Sequence, residues 1–327
     1  MAACPSRPNN PKINNYYYNC RCSQDSPLAG VAAEQLELMP TDSTMMFREQ
    51  LARLAKRGRP LRVGTFFSGC EIFHLAVRAV LLVAAKLFGI HLTSSLQWVV
   101  EKDSWKRAFI MARDKPCQAF TNLIELAESG FVAMDDISET EQHMASVDLA
   151  SGGFECDTVC KLSKVVGPER ENCLELGQGS TGTTGRATLR CIVYLRPPAT
   201  VLENSSLLGP KNVAYIASYL NFHGIVIFPF MVLAETHRSA AKRERQFVAI
   251  APIKDGPFDQ FADGFEFPPF IVAFGKCIVA MQTGPGDPQS ILWSKDDAAY
   301  IAWHQQAVAD RATSDMKDML LVFNSVC

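Results

Sequence analysis

The sequence predicts an α/β protein with a doubly wound, mostly parallel sheet and a small irregular region at its carboxyl end. Two observations carry this. Between residues 61 and 251, short apolar runs of strand length alternate with segments of helical period, the order produced when crossover helices join parallel strands. Two of those runs also end in groups able to do chemistry. Asp148-Leu-Ala-Ser-Gly-Gly-Phe-Glu-Cys156 reads as a short buried strand, a glycine turn and a thiol, and Arg196-Pro-Pro-Ala-Thr-Val-Leu-Glu203-Asn204 as a strand ending on a carboxylate. Open α/β sheets place ligands at the carboxyl ends of their strands, so a thiol and a carboxylate there can form one site.

Taken in order, residues 1–44 are rich in Pro, Asn, Ser and Tyr without periodicity and are expected to be a disordered lead-in. Residues 44–56 have the pattern of a short amphipathic helix. Lys56-Arg57-Gly58-Arg59-Pro60 follows. Its Arg-Gly-Arg-Pro is similar to the core of an AT-hook, which lays arginines in a narrow minor groove. A basic linker is the preferred reading, because so short a motif recurs by chance. Strands are expected at 61–66, 96–101, 130–134, 147–150, 199–202, 225–233 and 246–251, and helices at 72–87, 104–114 and 213–222. The polar segment 157–188, with Gly177-Gln-Gly-Ser-Thr-Gly-Thr-Thr-Gly185, is expected to be a mobile loop. Residues 45–251 thus make one domain, and 252–327 a short irregular region with a helical tail.

Hydrophobic residues make up 48% and charged residues 20%, with a formal net charge of -2. No global basic field advertises nucleic acid, although a local basic face would suffice. The apolar stretch 75–90 is interrupted by Arg78 and Lys86 and reads as a buried helix, so no membrane association is expected. Eleven cysteines without paired spacing point to reduced thiols in a nuclear or cytoplasmic compartment. Cys20 and Cys22 lack a zinc spacing and a second ligand pair, so no metal is expected.

The first strand runs into Phe66-Phe67-Ser68-Gly69 and then a helix, which presents backbone N–H groups to a ligand. Glu101 ends the second strand, where an acid can take both hydroxyls of a ribose. Asp136 ends the expected third strand and could accept from an adenine amino group. Three consecutive strand ends would hold a nucleoside-bearing cofactor.

These residues resemble the cytosine carbon-5 methyltransferase family over about residues 62–251. Gly64-Thr-Phe-Phe-Ser-Gly-Cys70 is similar to its S-adenosylmethionine loop, Val99-Val-Glu101-Lys-Asp103 to its ribose-binding strand, and Asp136-Ile137 to its adenine-contacting step. Gly153-Phe-Glu-Cys156 stands at its Pro-Cys nucleophile, Leu202-Glu203-Asn204 at its Glu-Asn-Val, and Ala241-Lys-Arg243-Glu-Arg245 over its Gln-x-Arg-x-Arg segment. The resemblance implies a Rossmann-like methyltransferase fold and S-adenosylmethionine held by Phe66, Ser68, Gly69, Cys70, Glu101, Asp136 and Ile137. Cys156 would be a thiolate nucleophile adding to carbon 6 of cytosine, Glu203 the group protonating ring nitrogen 3, and Arg243 the residue orienting base and phosphate. Asn204 would brace the Cys156 loop. Lys161, Lys164, Arg186 and Arg245 would contact nucleic acid, DNA by preference.

The chain departs from the family pattern at Glu71, Glu155, Cys160 and Ala241, and no counterpart of the family's carboxyl-terminal segment is found, so it reads as a divergent, truncated member. Three alternatives stay open: an RNA cytosine carbon-5 methyltransferase, a catalytically inactive nucleic-acid- or cofactor-binding module, and a Rossmann-like enzyme acting on a small molecule.

Overall fold

In the computed structural model, residues 27–69, 71–160, 162–233 and 243–252 are described. Helix α1 (Pro27–Glu37) and helix α2 (Thr41–Ala55) precede strand β1 (Leu61–Phe66), helix α3 (Ile72–Phe88), strand β2 (Ser94–Val100), helix α4 (Ser104–Arg113), strand β3 (Gln118–Phe120) and helix α5 (Leu123–Glu128). A hairpin of β4 (Val132–Asp135) and β5 (Thr140–His143) leads to β6 (Leu149–Gly152). The short helices α6 (Pro168–Glu171) and α7 (Cys173–Leu176) then precede α8 (Gly179–Leu195), β7 (Ala199–Ser205), α9 (Gly209–Phe222), β8 (Ile225–Leu233) and β9 (Glu244–Pro252).

Seven strands form the main sheet in the order β3-β2-β1-β6-β7-β9-β8. The pairs from β3 to β7 are all parallel, and β9 runs antiparallel to both its neighbours. The chain therefore winds outward from β1 in one direction and from β6 in the other, as a doubly wound sheet does.

Each face of the sheet has its own core. Val63, Leu96, Val99 and Ala119 pack with Ile110 of α4 and with Phe73 and Val77 of α3. On the other face Phe66, Trp98, Phe120, Ala150 and Leu202 meet α5, α8 and α9 through Leu126, Leu189, Ile192, Ile216 and Leu220. Gly64 is required here, because a Cβ at that position would lie 2.2 Å from the Trp98 ring. The indole N–H donates to the Ala145 carbonyl at 2.8 Å.

Three expectations are corrected. The lead-in is not disordered throughout: α1 sets Ala29, Ala32 and Leu36 against Ala79 and Val83 of α3, because that long apolar helix has a second side to cover. The segment at 130–134 does not supply the third strand of the sheet. That strand is the three-residue β3, and β4 belongs to a separate hairpin.

The glycine- and threonine-rich run is the helix α8, not a loop. Thr183, Thr184 and Thr188 return their hydroxyls to carbonyls one turn back. The small residues let α8 approach α7, since a Cβ on Gly182 would lie 2.3 Å from the Cys173 carbonyl oxygen. Low helix propensity is overridden by tertiary packing.

The basic run before β1 is likewise taken up structurally. Arg59 makes a two-pronged pair with Asp148 at 2.5 and 2.7 Å, and Arg57 and Arg62 join the same carboxylate at 3.5 Å. Burial raises the Asp148 pKa, but hydrogen bonds from Arg59 and Arg62 outweigh it and hold the group at about 2. The expected irregular region beyond residue 252 lies outside the described residues.

Candidate functional site

The winding direction reverses between β1 and β6, and the loops leaving their carboxyl ends border one crevice, the place where doubly wound sheets bind ligands. β2 lies beyond β1 and β7 beyond β6. Four strand ends thus converge, carrying Ser68-Gly69, Glu101, Cys156 and Glu203.

On the β7 side the register sets Gly152 opposite Leu202, so Gly153 meets Glu203. A Cβ at Gly153 would lie 2.8 Å from Glu203 Oε2, which leaves glycine as the residue that lets the carboxylate sit against the thiol loop. The buried Asn204 amide donates to the Phe154 carbonyl at 2.8 Å, bracing the Cys156 loop as expected. Cys156 is half-buried. Burial pushes its pKa up, with Cys160, Asp157 and Glu203 adding to the rise, so the thiol is held protonated rather than activated by nearby N–H groups.

Burial also raises the Glu203 pKa, opposed by Arg243. Arg245, opposite Ser205 on β9, donates from Nε to Glu203 Oε1 at 2.6 Å. Arg245 holds the carboxylate, while Arg243 is exposed and acts on it through its field.

On the β1 side Phe66 is buried against Trp98, with ring centroids 4.8 Å apart. The next residue, Phe67, takes a left-handed φ of 51°. Both Glu101 oxygens are engaged by backbone: Gly69 N–H donates to Oε2 at 2.8 Å and Asp103 N–H to Oε1 at 3.0 Å. The carboxylate clamps two loops together, and each oxygen keeps a second lone pair for a ligand hydroxyl.

Asp136 follows the hairpin strand β4, yet its N–H donates to the Ala119 carbonyl of β3 at 2.9 Å, so it still reaches the crevice edge. Its Oδ2 accepts from Arg107 Nε at 2.7 Å, and Arg107 also donates to the carbonyls of Glu101 and Lys102. The neighbouring Asp135, buried, docks the hairpin by accepting from Ala119 N–H at 2.7 Å. Ile137 is half-buried against Val63, Val99 and Ile110.

Several of these residues were not singled out in the sequence. Arg107 and Asp135 carry no motif, and only the fold shows what they hold. Lys102 lies inside the ribose-strand motif but carried no expected role: its ammonium donates to Glu155 at 2.5 Å, a strap from the end of β2 to the thiol loop, passing β1.

Glu71 is the N-cap of α3 in a left-handed conformation, φ 55°, and is buried. Its carboxyl accepts from His74 N–H at 2.9 Å and from the Thr65 hydroxyl.

Of the expected nucleic-acid contacts, Lys164 is exposed on the segment after Cys156. Arg186 sits on α8 with its guanidinium donating to the carbonyls of Leu174 and Glu175, closing the end of α7. Cys70 and Lys161 lie outside the described residues. Among the described residues no cluster of three or more His, Cys, Asp or Glu could hold a metal, and no helix is long and apolar enough to cross a membrane.

No family model and no curated protein matches the chain. Among solved structures it is similar to a prophage-encoded DNA modification methyltransferase of E. coli, at 16% identity and TM-score 0.36, covering 59% of this chain and 47% of that one. It is also similar to the S. pombe Dnmt2 methyltransferase, at 14% identity and TM-score 0.38, covering 63% and 55%. The Entamoeba histolytica methyltransferase EhMeth gives 12%, 0.35, 60% and 55%. The chain spans about half the length of these structures.

Proposed function

We propose that the protein transfers a methyl group from S-adenosylmethionine to carbon 5 of cytosine in nucleic acid, with Cys156 as the covalent nucleophile. One observation carries the reading: the register between β6 and β7 sets the Cys156 loop against Glu203, beside the loops of β1 and β2. The crevice residues fit the cofactor. A Cβ at Gly69 would meet nothing within 4 Å, and both Glu101 oxygens and Asp136 Oδ1 retain lone pairs. Ser68, Gly69, Glu101, Asp136 and Ile137 would hold it. When bound, it supplies an electrophilic methyl group on a sulfonium.

Carbon 5 of cytosine is a weak nucleophile. Sulfur of Cys156 adding to carbon 6 moves an electron pair toward carbon 5 and the ring nitrogens, and Glu203 delivers a proton to nitrogen 3 to neutralise that charge. Burial favours the protonated Glu203 that this needs. The Arg245 pair opposes it, so Arg245 is assigned to a substrate phosphate once nucleic acid is in place. Protonated Glu203 also lifts one of the negative charges that hold the Cys156 thiol protonated. Once carbon 5 carries the methyl group, water takes the carbon-5 proton as the bond from carbon 6 to sulfur breaks, Cys156 leaves as the thiolate and nitrogen 3 returns its proton to Glu203, which restores the ring. The target base has to be outside a stack for Cys156 to reach it.

The raised Cys156 pKa favours a second reading, a module that binds cofactor or nucleic acid without turnover. Incubation with S-adenosylmethionine and an oligonucleotide bearing 5-fluorocytosine separates the two, because fluorine blocks the final elimination. A denaturation-resistant adduct, lost in Cys156→Ala, is expected. Cofactor binding without an adduct on DNA or RNA would leave only the binding module.

A further inference from the structure

A groove of about 460 Å³ lies between α5, α8 and α9, outside the crevice. One wall is aromatic: Tyr215 and Tyr219, one turn apart on α9, stack at 6.1 Å with 27° between their planes. The other carries Arg186 and Arg190, one turn apart on α8, against the single carboxylate of Glu128. Arg186 is fixed, spending Nε and one terminal nitrogen on the carbonyls that end α7 while its guanidinium lies 5.8 Å from the Tyr215 ring. Arg190 is exposed and forms no hydrogen bond or ion pair with a described residue. Cations facing a flat aromatic wall suit a ligand that has both an anionic group and a planar ring.

The position of the groove narrows the choice. The first turn of α8 is tied to the thiol loop, since Thr158 N–H donates to the Thr181 hydroxyl at 3.1 Å. Arg190 lies nine residues further along the helix, about 14 Å at 1.5 Å per residue. α8 is thus a track from the Cys156 loop to the groove, within a few nucleotides of a base held at the thiol.

We propose that this groove binds an unpaired flanking segment of the nucleic-acid substrate, with a base stacked against Tyr215 and Tyr219 and a phosphate held by Arg190. The proposal rests on the nucleic-acid reading of the Cys156 site and deepens it. Stacking on tyrosine requires a base free of its partner strand, so the substrate is single-stranded on this side.

The test measures binding of a short fluorescein-labelled single strand and of its duplex by anisotropy, with the full chain and without methyl donor. Arg190→Ala is expected to weaken single-strand binding and to reduce the salt slope by about 0.7, the value for one phosphate contact on a single strand. Tyr219→Leu is expected to weaken it about tenfold and Tyr219→Phe to leave it near wild type, because the ring carries the stacking. Duplex binding should be unchanged, and urea melts of each variant establish that the fold is intact. Unchanged single-strand affinity and salt slope in Arg190→Ala would overturn the proposal, as would equal losses on duplex and single strand or no single-strand binding by the wild type. An adduct at Cys156 together with normal binding by these variants would remove the groove alone and leave the methyltransferase reading standing.

Discussion

Glu71 and His74, three residues apart at the start of α3, are expected to titrate against each other. Burial lifts Glu71 from the ordinary 4.5 to about 7, while Thr65 and His74 N–H pull it down, Asp114 adds to the rise and Arg113 opposes it. Burial lowers His74 from 6.5 to about 4, with Arg78 and Arg113 adding to the drop. Its Nδ1 has no partner among the described residues, and Nε2 lies 3.1 Å from the Ser94 hydroxyl. For Glu71 the folded pKa is the higher one. Its contribution to stability is fully present below pH 4.5 and is lost as pH rises through 7. For His74 the folded pKa is the lower one, so its contribution is present above pH 6.5 and lost as pH falls through 4. Moving Glu71 from 4.5 to about 7 and His74 from 6.5 to about 4 corresponds to about 3 kcal/mol for each.

Between about pH 4.5 and 6.5 the two slopes have opposite sign and cancel. Glu71→Gln keeps the acceptor for His74 N–H, cannot ionise, and unmasks the histidine. Relative to wild type, its unfolding free energy should gain about 1.4 kcal/mol per pH unit over that window. His74→Gln keeps a donor toward Ser94 and should show the reverse slope, and the double variant should return to the wild-type profile. Comparing each variant with wild type removes the contribution of Glu203, whose raised pKa acts in every background. Urea melts at half-unit pH steps provide the assay. Parallel profiles for Glu71→Gln and wild type would refute the reasoning.

Other substitutions probe the sheet and the site. Gly64→Ala forces a methyl into the Trp98 ring and should destabilise by about 2–3 kcal/mol, read by thermal melting as an intact but less stable fold. Gly153→Ala crowds the movable end of Glu203 and meets its carbonyl oxygen at an ordinary contact distance of 3.4 Å, so its stability should stay within about 1 kcal/mol of wild type while adduct formation at 5-fluorocytosine drops at least tenfold. Asp148→Asn leaves three arginines without their carboxylate and should lower stability at pH 7 by about 2 kcal/mol. That difference should be lost as pH falls from 3.8 through about 2, as wild-type Asp148 itself becomes protonated. Arg107→Ala frees Asp136 and the end of β2, and calorimetry should show weaker S-adenosylmethionine binding, with Arg107→Lys restoring only part because a lysine cannot span three acceptors.

By itself the sequence determined the elements whose apolar runs have a clear period. Strand β1 at 61–66 and β8 at 225–233 were expected with the bounds they have, and α3, α4 and α9 within a few residues. It also placed Cys156 and Glu203 at the ends of two strands, because a thiol or carboxylate following a short buried run has few other places to go in a doubly wound sheet; that the two strands are neighbours came from the sheet order. Tertiary structure alone decided the rest. A helix made of Gly179, Gly182, Gly185 and five threonines and serines has no local preference for being one; it exists because small residues let α8 sit against α7. β3 is three residues long and carries no pattern until β2 pairs with it. Arg57 and Arg59 look free in the sequence until Asp148 arrives from 91 and 89 residues away in the chain, and Arg245 shows no partner there until β7 brings Glu203 beside it. Periodicity is a local property and can be read along the chain, whereas the partner of a charge or a glycine is set by which strands become neighbours.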